Sequence, residues 1–571
     1  MHLNDSVGHC PDLEYVCNLH EQAAAMAAET YAKLNENLGV ALVTTGPGGT
    51  NAITGTAGAW LDSTPCLFIS GQVKRSDMIG TTGVRQMGVQ ELDIVSLVKP
   101  ITKYAVTVIE PTTIRYHLEK AVYLARIGRP GPVWIDIPLD VQAAQVNPAS
   151  LDGFDPHELP LAAAPDNLPV QVAQTIELLN AAERPILLVG NGVRLAGAKR
   201  EMQELIQRLG VPVLLTWLSH DLLPEANKLL VGRPGPVAPR GPNFALQNSD
   251  WLLTIGARLD MVLTGYAHDR FARAANKIMV DIDPAEIRKM KTPIAVPVCA
   301  DAKAFIQEML RQSDRVGHQD RSDWMARCRE WKTTYPVVLP EYRAQKLVST
   351  YVLADVLSDE LEGNDVIVSG SSGAGIEIFL LVFRVKEGQR VLLTTALGAM
   401  GYGLPASLGA CLASGRKRTI LVDGDGGFQL NLQELETLVR LQLPVKMFIL
   451  NNQGYASIRT SQSRYFGRLS GADATSGLTL PDLGKVATAY GLAFMQIKDQ
   501  GDLAEQVRTV LNTSGPVICE VWTPPDEPRA PSLASMQRPD GSMVSKPLED
   551  LWPFMERDEF LSNMIIPPIE E

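Results

Sequence analysis

The stretch LVDGDGGFQLNLQELETLVRLQLPVKMFILNN, residues 421–452, decides the fold. TILV at 419–422 and VKMFIL at 445–450 are short apolar runs of the kind found in buried strands. The segment between them predicts an amphipathic helix, because leucines recur at three-residue spacing: Leu432, Leu435, Leu438 and Leu441. A strand, a helix and a second strand in this order predict a right-handed βαβ unit within a parallel sheet.

Polar residues follow each of these two strands. Gly424-Asp425-Gly426-Gly427 follows the first strand, and Asn451-Asn452 follows the second. The carboxyl ends of parallel strands meet at one edge of the sheet, where such folds bind ligands. Carboxylate and amide oxygens suit Mg²⁺, and glycines let backbone N–H groups approach a phosphate. The pattern predicts a magnesium-diphosphate site, although Asp and Asn are also common turn residues, which leaves a purely structural role open.

The stretch resembles the motif of thiamine-diphosphate (ThDP) enzymes, which begins with GDG and ends with paired asparagines. This resemblance implies that Asp425, the Asn452 side chain and the backbone carbonyl of Gly454 bind Mg²⁺. It also implies that the turn of Gly424, Gly426 and Gly427 contacts the cofactor.

Composition places the chain among multidomain α/β proteins. Its 571 residues allow three or four domains, and its net charge of −12 argues against nucleic acid or an anionic membrane as main partner. No apolar run is long enough to span a bilayer, and the acidic start MHLND does not resemble a signal peptide. Seven scattered cysteines form no CxxC pair and favour a reducing, cytoplasmic location.

Three blocks of the sequence alternate strands and helices. The resemblance implies three doubly wound parallel-sheet domains: a pyrimidine-binding domain at 1–145, a central domain at 165–315 and a diphosphate-binding domain at 345–525, followed by an irregular tail at 526–571. Residues 139–168 read as a surface linker, and the charged stretch 311–331 as a second separator. Relatives carry a further helix and strand before the region that matches MHLNDS, so we expect the first domain to lack them.

The first block supplies a second set of cofactor residues. YVCNL at 15–19 reads as a short strand, and Glu21 follows at the start of a helix, where the helix dipole alone would favour an acid. TTGPGGTN at 44–51 is a glycine-rich turn. In ThDP enzymes a glutamate at such a helix start shares a proton with N1′ of the cofactor, and Glu21 matches it. That role requires an apolar surrounding and a raised pKa.

The acetolactate-synthase branch of the family matches most closely. GPGGTN, RPGPVWIDIP at 129–138 and GQV at 71–73 carry this resemblance. It implies that Met400 supports the bent cofactor and that the carbonyl of Gly398 accepts from its 4′-amino group. Read alone, Met400 would be a core residue. Gln90 and Lys103 match further active-site positions.

Acetolactate synthases also hold FAD, mainly in their central domain. The resemblance implies FAD contacts at nine positions: Arg129, Gly190, Gly192, Gly256, Arg258, Asp260, Asp281, Ile282 and Asp301. An acid at a strand end can hold a ribose hydroxyl, and glycine-rich turns admit a pyrophosphate. The alternative is a central domain that is empty or binds only an adenine nucleotide.

Departures from the branch cluster where the second substrate would sit. Val89 replaces a phenylalanine before Gln90, and Met261-Val262 replaces an Asp-Arg pair. SGSSGAG at 369–375 lacks a Gln-His pair, and QGYASIRTSQ at 453–462 lacks a tryptophan. We therefore expect the cofactor chemistry to be kept and the acceptor site to differ.

The resulting hypothesis is a ThDP- and Mg²⁺-dependent carboligase that decarboxylates pyruvate or a similar 2-oxo acid. A keto-sugar acceptor in polysaccharide biosynthesis and a non-catalytic regulatory paralogue are the alternatives. Glu21 and Asp425 come from different domains, and in relatives the cofactor lies between two subunits. We therefore expect a homodimer or a dimer of dimers, and a regulatory subunit remains an open possibility.

Overall fold

The computed structural model describes residues 1–159, 165–371, 373–537, 540–541 and 543–569, whose strands form three parallel sheets and one antiparallel hairpin. The predicted fold class, three α/β domains with parallel sheets, is confirmed. In these ranges no helix is both long and apolar enough to cross a membrane. Part of the predicted linker, residues 160–164, lies outside the described residues.

The first sheet has the strand order β1-β2-β4-β3. Its strands are β1 Gly39–Val43, β2 Cys66–Gln72, β3 Tyr104–Thr107 and β4 Val133–Pro138. The helices of this part are α1 His2–His9, α2 Glu21–Asn35, α3 Pro47–Leu61, α4 Ile94–Val98, α5 Ile114–Arg126 and α6 Leu139–Gln142.

The prediction of a strand at 15–19 is wrong. That segment pairs with no strand; instead, the N–H groups of Leu19 and His20 donate to the buried Glu434 carboxylate at 2.8 and 3.0 Å.

The central sheet has the order β10-β9-β8-β5-β6-β7. Its strands are β5 Pro185–Val189, β6 Val213–Leu215, β7 Leu230–Gly232, β8 Trp251–Ile255, β9 Asn276–Asp281 and β10 Val296–Cys299. Its helices are α7 Leu168–Ala181, α8 Gly192–Leu195, α9 Lys199–Leu209, α10 Arg240–Gln247, α11 Met261–Thr264, α12 Pro284–Arg288, α13 Ala302–Arg311 and α14 Ser322–Thr334. The charged stretch 311–331 is therefore more than a separator. Trp324 and Trp331 of α14 are buried against the core, so their apolar area holds this helix in place.

The third sheet has the order β12-β11-β13-β14-β16-β15. Its strands are β11 Val366–Ser369, β12 Arg390–Leu392, β13 Thr419–Gly424, β14 Val445–Asn451, β15 Ala493–Ile497 and β16 Val517–Trp522. The helices are α15 Pro340–Arg343, α16 Thr350–Glu360, α17 Phe379–Val382, α18 Gly403–Ala413, α19 Asp425–Phe428, α20 Glu434–Leu441, α21 Ala456–Phe466, α22 Leu483–Tyr490 and α23 Leu503–Asn512. A π-helical turn, Gly373–Ile378, precedes α17.

The βαβ unit predicted from 421–452 is confirmed, because β13 and β14 are parallel neighbours joined through α20. Leu435 and Leu438 of this helix are fully buried, whereas Leu432 lies in the turn before it.

The tail is more ordered than the predicted irregular segment. It contains a hairpin, β17 Ser535–Gln537 with β18 Met543–Ser545, and a helix, α24 Arg557–Ser562. Leu548 and Phe560 pack into the apolar core of the central domain, and Asn243 donates to the Leu548 carbonyl at 2.7 Å. The tail therefore covers the central domain as a fixed part of the fold.

Candidate cofactor and substrate site

The predicted metal residues meet at the carboxyl edge of the third sheet. Asp425 begins α19 directly after β13, and Asn452 follows the neighbouring strand β14. The Asp425 carboxylate accepts from the N–H groups of Gly426 at 2.8 Å and Gly454 at 3.2 Å. The bond from Gly454 joins the second loop to the first, as the sequence pattern predicts.

The two asparagines have different environments. Asn451 donates from Nδ2 to Glu520 Oε1 on β16 at 2.7 Å, so its side chain joins two strands. Asn452 is 6% exposed, and its Oδ1 has no hydrogen-bond partner among the described residues. A buried acceptor without a partner is costly, so this oxygen is suited to a ligand that supplies positive charge.

Two glycines set the shape of this corner. A Cβ at Gly454 would lie 2.3 Å from the Ala472 carbonyl oxygen, and its φ of +137° also favours glycine. A Cβ at Gly426 would lie 2.3 Å from the Tyr455 ring. The donors at this corner are one carboxylate, one amide oxygen and one backbone carbonyl, and no described group of three or more His, Cys, Asp or Glu side chains could hold a metal. An all-oxygen set with few charges fits Mg²⁺, which keeps phosphate and water ligands.

Burial sets the electrostatics of the corner. It raises the pKa of Asp425 to about 6 and that of the fully buried Asp423 to about 7, and the charge of Asp425 adds to the latter shift. Asp423, on β13, has an oxygen without a partner among the described residues, and a Cβ at Gly370 would lie 2.0 Å from its carboxyl carbon. Two desolvated carboxyls at one edge favour a bound cation. Sequence reasoning missed Asp423, although the repeated acid in DGDG was a visible signal.

Sequence reasoning also missed Arg459, on α21. Its side chain is 8% exposed, and it donates to the carbonyl of Asn452 at 3.0 Å and to that of Pro525. Arg459 thus connects the loop after β14 with the beginning of the tail. A single arginine in a polar helix gave no signal for this role.

Glu21 lies in the first turn of α2, as predicted. Its Oε2 accepts from Asn51 Nδ2 at 3.0 Å, and Asn51 lies in the first turns of α3, which begins at Pro47 within the predicted glycine-rich turn of residues 44–51. A Cβ at Gly48 would lie 3.4 Å from Glu21 Oε1. The half-exposed carboxylate is therefore oriented by the turn with which the sequence pattern associates it.

The remaining predicted ThDP residues line more open parts of the surface. Gln90 is exposed with a φ of +64°, and Thr45 Oγ1 donates to its carbonyl at 3.4 Å. Gly398 is exposed and Met400 is half-buried, both between β12 and α18. Lys103 donates to the Ile127 carbonyl, and burial lowers its pKa to about 8. The described contacts place Lys103 beside the loop before β4 and give it no bond to Glu21.

The predicted flavin residues gather around one cleft of about 1060 Å³ at the carboxyl edge of the central sheet. Eight of the nine line it: Arg129, Gly192, Gly256, Arg258, Asp260, Asp281, Ile282 and Asp301. Gly190 lies directly behind the wall, because a Cβ there would lie 2.2 Å from the Gly256 carbonyl oxygen.

Some of the charged side chains that line this cleft already bond to other groups of the protein. Arg129 pairs with Asp283 at 2.9 Å and Glu286 at 2.8 Å, and Asp301 Oδ1 caps α13. Burial raises the pKa of Asp281, the acid at the end of β9, to about 6. Apolar and polar side chains line this cleft together with the glycine turns at Gly192 and Gly256. Such a combination suits a dinucleotide.

A second, wider cavity of about 2520 Å³, partly open to solvent, lies between the central domain, the third sheet and the tail. Gly398 and Ser371 line one side, and Met261 and Val262 line another. Arg459, Arg464 and Arg529 contribute three positive side chains. This cavity joins the predicted cofactor positions to the residues at which the sequence departs from the acetolactate-synthase pattern.

Comparison with protein families agrees with the three-sheet organisation. Residues 1–97 match the N-terminal TPP binding domain of thiamine pyrophosphate enzymes, residues 172–309 match their central domain, and residues 375–521 match their C-terminal TPP binding domain.

Similar proteins cover most of the chain. An acetolactate synthase large subunit of Cyanidium caldarium is 33% identical over 90% of this chain and 87% of its own length. An acetolactate synthase of Arthrospira platensis is 33% identical over 90% of this chain and 88% of its own length. A chloroplastic acetolactate synthase 3 of Brassica napus is 31% identical over 94% of this chain and 81% of its own length.

Proposed function

This chain belongs to the acetolactate-synthase family of thiamine pyrophosphate enzymes, and from that premise we propose how its residues divide the work of a pyruvate carboligase. The enzyme is ThDP-dependent, and the comparisons favour carboligation from pyruvate over the keto-sugar and regulatory alternatives. The observation that carries the proposal is the buried, unpartnered Oδ1 of Asn452 beside the Asp425 carboxylate.

Asp425, Asn452 and the Gly454 carbonyl hold Mg²⁺ in this proposal, and the turn of Gly424, Gly426 and Gly427 accommodates the diphosphate. The unpartnered Asn452 oxygen and the raised pKa of Asp425 support the assignment, because a divalent cation relieves both costs. When bound, ThDP supplies an electron sink for loss of CO₂ from a 2-oxo acid.

Glu21 holds the proton at N1′, with Asn51 fixing the orientation of its carboxylate at 3.0 Å. With ThDP bound, the Gly398 carbonyl would accept from its 4′-amino group, and the Met400 side chain would pack against it. Gln90 and Lys103 act on the substrate side. The half-exposed Glu21 of the single chain requires a covering element to become water-poor, which supports completion of the site by a second chain.

We therefore propose a homodimer or a dimer of dimers as the active assembly. Val89, Gln90 and Gly398 are all exposed in the single chain, and Val89 is 86% exposed. An exposed apolar side chain next to the predicted active-site residue Gln90 suits burial against a partner copy. A regulatory subunit belongs to the same proposal, because the relative from Cyanidium caldarium is named a large subunit.

FAD is the proposed occupant of the central cleft. Eight of the nine residues implied by the family line it, and Asp281 at the end of β9 is placed for a ribose hydroxyl.

The proposed compartment is the cytoplasm, which suits seven free cysteines.

The test is CO₂ release from pyruvate with added ThDP and Mg²⁺, followed by mass analysis of the products. The parent should release CO₂ and form a five-carbon hydroxy-oxo acid, whereas Asp425→Ala should do neither. Absence of CO₂ release from folded, cofactor-supplied parent would exclude the carboligase.

A further inference from the structure

The second cavity contains one arginine whose hydrogen bonds leave part of its guanidinium open. Arg529, at the start of the tail, bonds through Nη1 to Glu377 Oε2 at 2.5 Å and to Ser457 Oγ at 3.5 Å. Among the described residues its Nε and Nη2 have no hydrogen-bond partner. Arg529 is 31% exposed and Glu377 is 23% exposed, so the pair faces the cavity without being sealed in the core.

The other two arginines of the cavity differ from Arg529 in their burial and in their partners. Arg459 is buried and bonds to the carbonyls of Asn452 and Pro525. Arg464 is exposed and donates to the Ser535 carbonyl of the tail at 3.0 Å. Of the three, Arg529 is the half-buried one; Glu377 holds it through Nη1, and its Nε and Nη2 have no hydrogen-bond partner among the described residues.

The backbone makes room for the Arg529–Glu377 pair. Glu377 lies in the π-helical turn Gly373–Ile378, a distortion often found at functional sites. A Cβ at Gly373 would lie 2.6 Å from Ser457 Oγ, 3.4 Å from Arg529 Nη1 and 3.5 Å from Glu377 Oε2. Glycine at this position allows the three side chains to meet.

The described residues of the central domain that line the cavity carry no positive charge. Met261 and Val262 line it where the family pattern has an Asp-Arg pair, and Trp217 adds a further apolar surface. A 2-oxo acid that enters as acceptor carries a carboxylate, which needs a partner once it leaves water. The open edge of a guanidinium offers two parallel N–H donors that match a carboxylate.

We propose that Arg529 binds the carboxylate of the acceptor 2-oxo acid and that Glu377 orients the guanidinium for it. The assignment rests on the proposed function, because that function places the reacting end of the cofactor near Gly398 in the same cavity. Arg529 thus selects acceptors that carry a carboxylate over neutral carbonyl compounds.

The experiment supplies the holoenzyme with pyruvate as donor and equal concentrations of 2-oxobutanoate and propanal as acceptors. The two acceptors differ by a single carboxylate, and mass analysis gives the ratio of their products. Arg529→Gln should shift this ratio about 10- to 100-fold toward the propanal product, the loss expected for a charge-assisted bond. Arg529→Lys, which keeps the charge but loses the two parallel donors, should shift it less.

Arg464→Gln is the matched control. It removes another arginine that lines the same cavity, and this arginine already bonds to the Ser535 carbonyl of the tail. Its ratio should stay within about twofold of the parent, given that exposed polar contacts contribute little. An unchanged ratio in Arg529→Gln overturns the assignment, and so does a loss of CO₂ release in that variant at an unchanged melting temperature. A folded parent that releases no CO₂ overturns the proposed function itself.

Discussion

Asp221→Asn tests whether one buried carboxylate couples the three domains. Asp221 follows β6 of the central domain, and its Oδ1 pairs with Arg194 of α8. Its Oδ2 accepts from Arg390 Nε at 2.9 Å and from the Val391 N–H at 3.0 Å, both on β12 of the third sheet. Arg390 also donates to the carbonyl of Lys33 at 2.9 Å, near the end of α2 in the first domain.

The magnitude follows from the burial of these charges. The Asp221 side chain is fully buried, and the side chains of Arg194 and Arg390 are 6% and 15% exposed. Removing one partner of such a buried pair costs about 3–5 kcal/mol. Glu36 lies 3.5 Å from both arginines, but it is 39% exposed and offsets only about 1 kcal/mol. We expect Asp221→Asn to lower the free energy of unfolding by about 3 kcal/mol.

The assay is urea unfolding at pH 7.5, followed by calorimetry to see whether one domain now unfolds before the others. Asp355→Asn is the matched control. Asp355 also lies between two arginines, but Arg343 and Arg384 are 53% and 39% exposed, so that loss should stay below about 1 kcal/mol. Equal losses in the two variants would refute the argument from burial.

The same residue predicts a pH dependence. Burial alone would raise the pKa of Asp221, but the guanidiniums of Arg194 and Arg390 outweigh it and hold the pKa well below its ordinary value. A carboxylate with a depressed folded-state pKa contributes stability that is complete above its unfolded pKa, about 3.9, and is lost as the pH falls further. The difference in stability between parent and Asp221→Asn should therefore narrow below about pH 4.

Three further predictions concern the cofactors. Asp425→Ala should abolish Mg²⁺-dependent ThDP binding in a calorimetric titration while the fold is retained; unchanged affinity would remove the metal assignment. Glu21→Gln should bind ThDP within about tenfold of the parent, since one neutral hydrogen bond is worth only ~1 kcal/mol. Deuterium exchange at C2, read by NMR after acid quench, should slow by about 10²–10⁴, and equal exchange would make Glu21 a structural acid. Purified protein should show an oxidised-flavin absorption band, and Arg129→Ala should weaken FAD binding; a colourless parent that takes up no added FAD would leave the cleft without its proposed ligand.

The sequence predicted the sheet edge at 421–452 because its signals are local. Two apolar runs and one leucine stripe determine a βαβ unit, and the geometry of that unit brings the two loops together. The same reasoning failed for α14, where charged residues surround Trp324 and Trp331 and conceal a helix anchored by two buried rings. It also failed at 15–19, where the residue types are typical of a strand. There the backbone N–H groups at the end of the segment donate to the Glu434 side chain of a distant helix and not to a neighbouring strand.

The paired asparagines show the limit of motif reasoning at single-residue resolution. Asn451 and Asn452 are identical in type, yet one side chain bonds to Glu520 and the other has a buried, unpartnered oxygen. Only the neighbouring strand β16 distinguishes them, because Asn451 is the last residue of β14 and faces that strand. The resemblance to ThDP enzymes assigned the roles, whereas the residue types alone could not.

The cofactor end and the acceptor end of the site therefore differ in how far a sequence can describe them. The proposed metal and diphosphate part of the cofactor end comes from the two loops of one βαβ unit, so a short motif contains most of that part. The acceptor end is assembled from α11, the π-helical turn, α21 and the first residues of the tail, which are separated by long stretches of chain. A substitution in one of these segments changes the surroundings of the others without altering any local pattern. In the assignment that we propose, Arg529 supplies the positive charge that Val262 does not, about 270 residues away along the chain, because both residues line the same cavity.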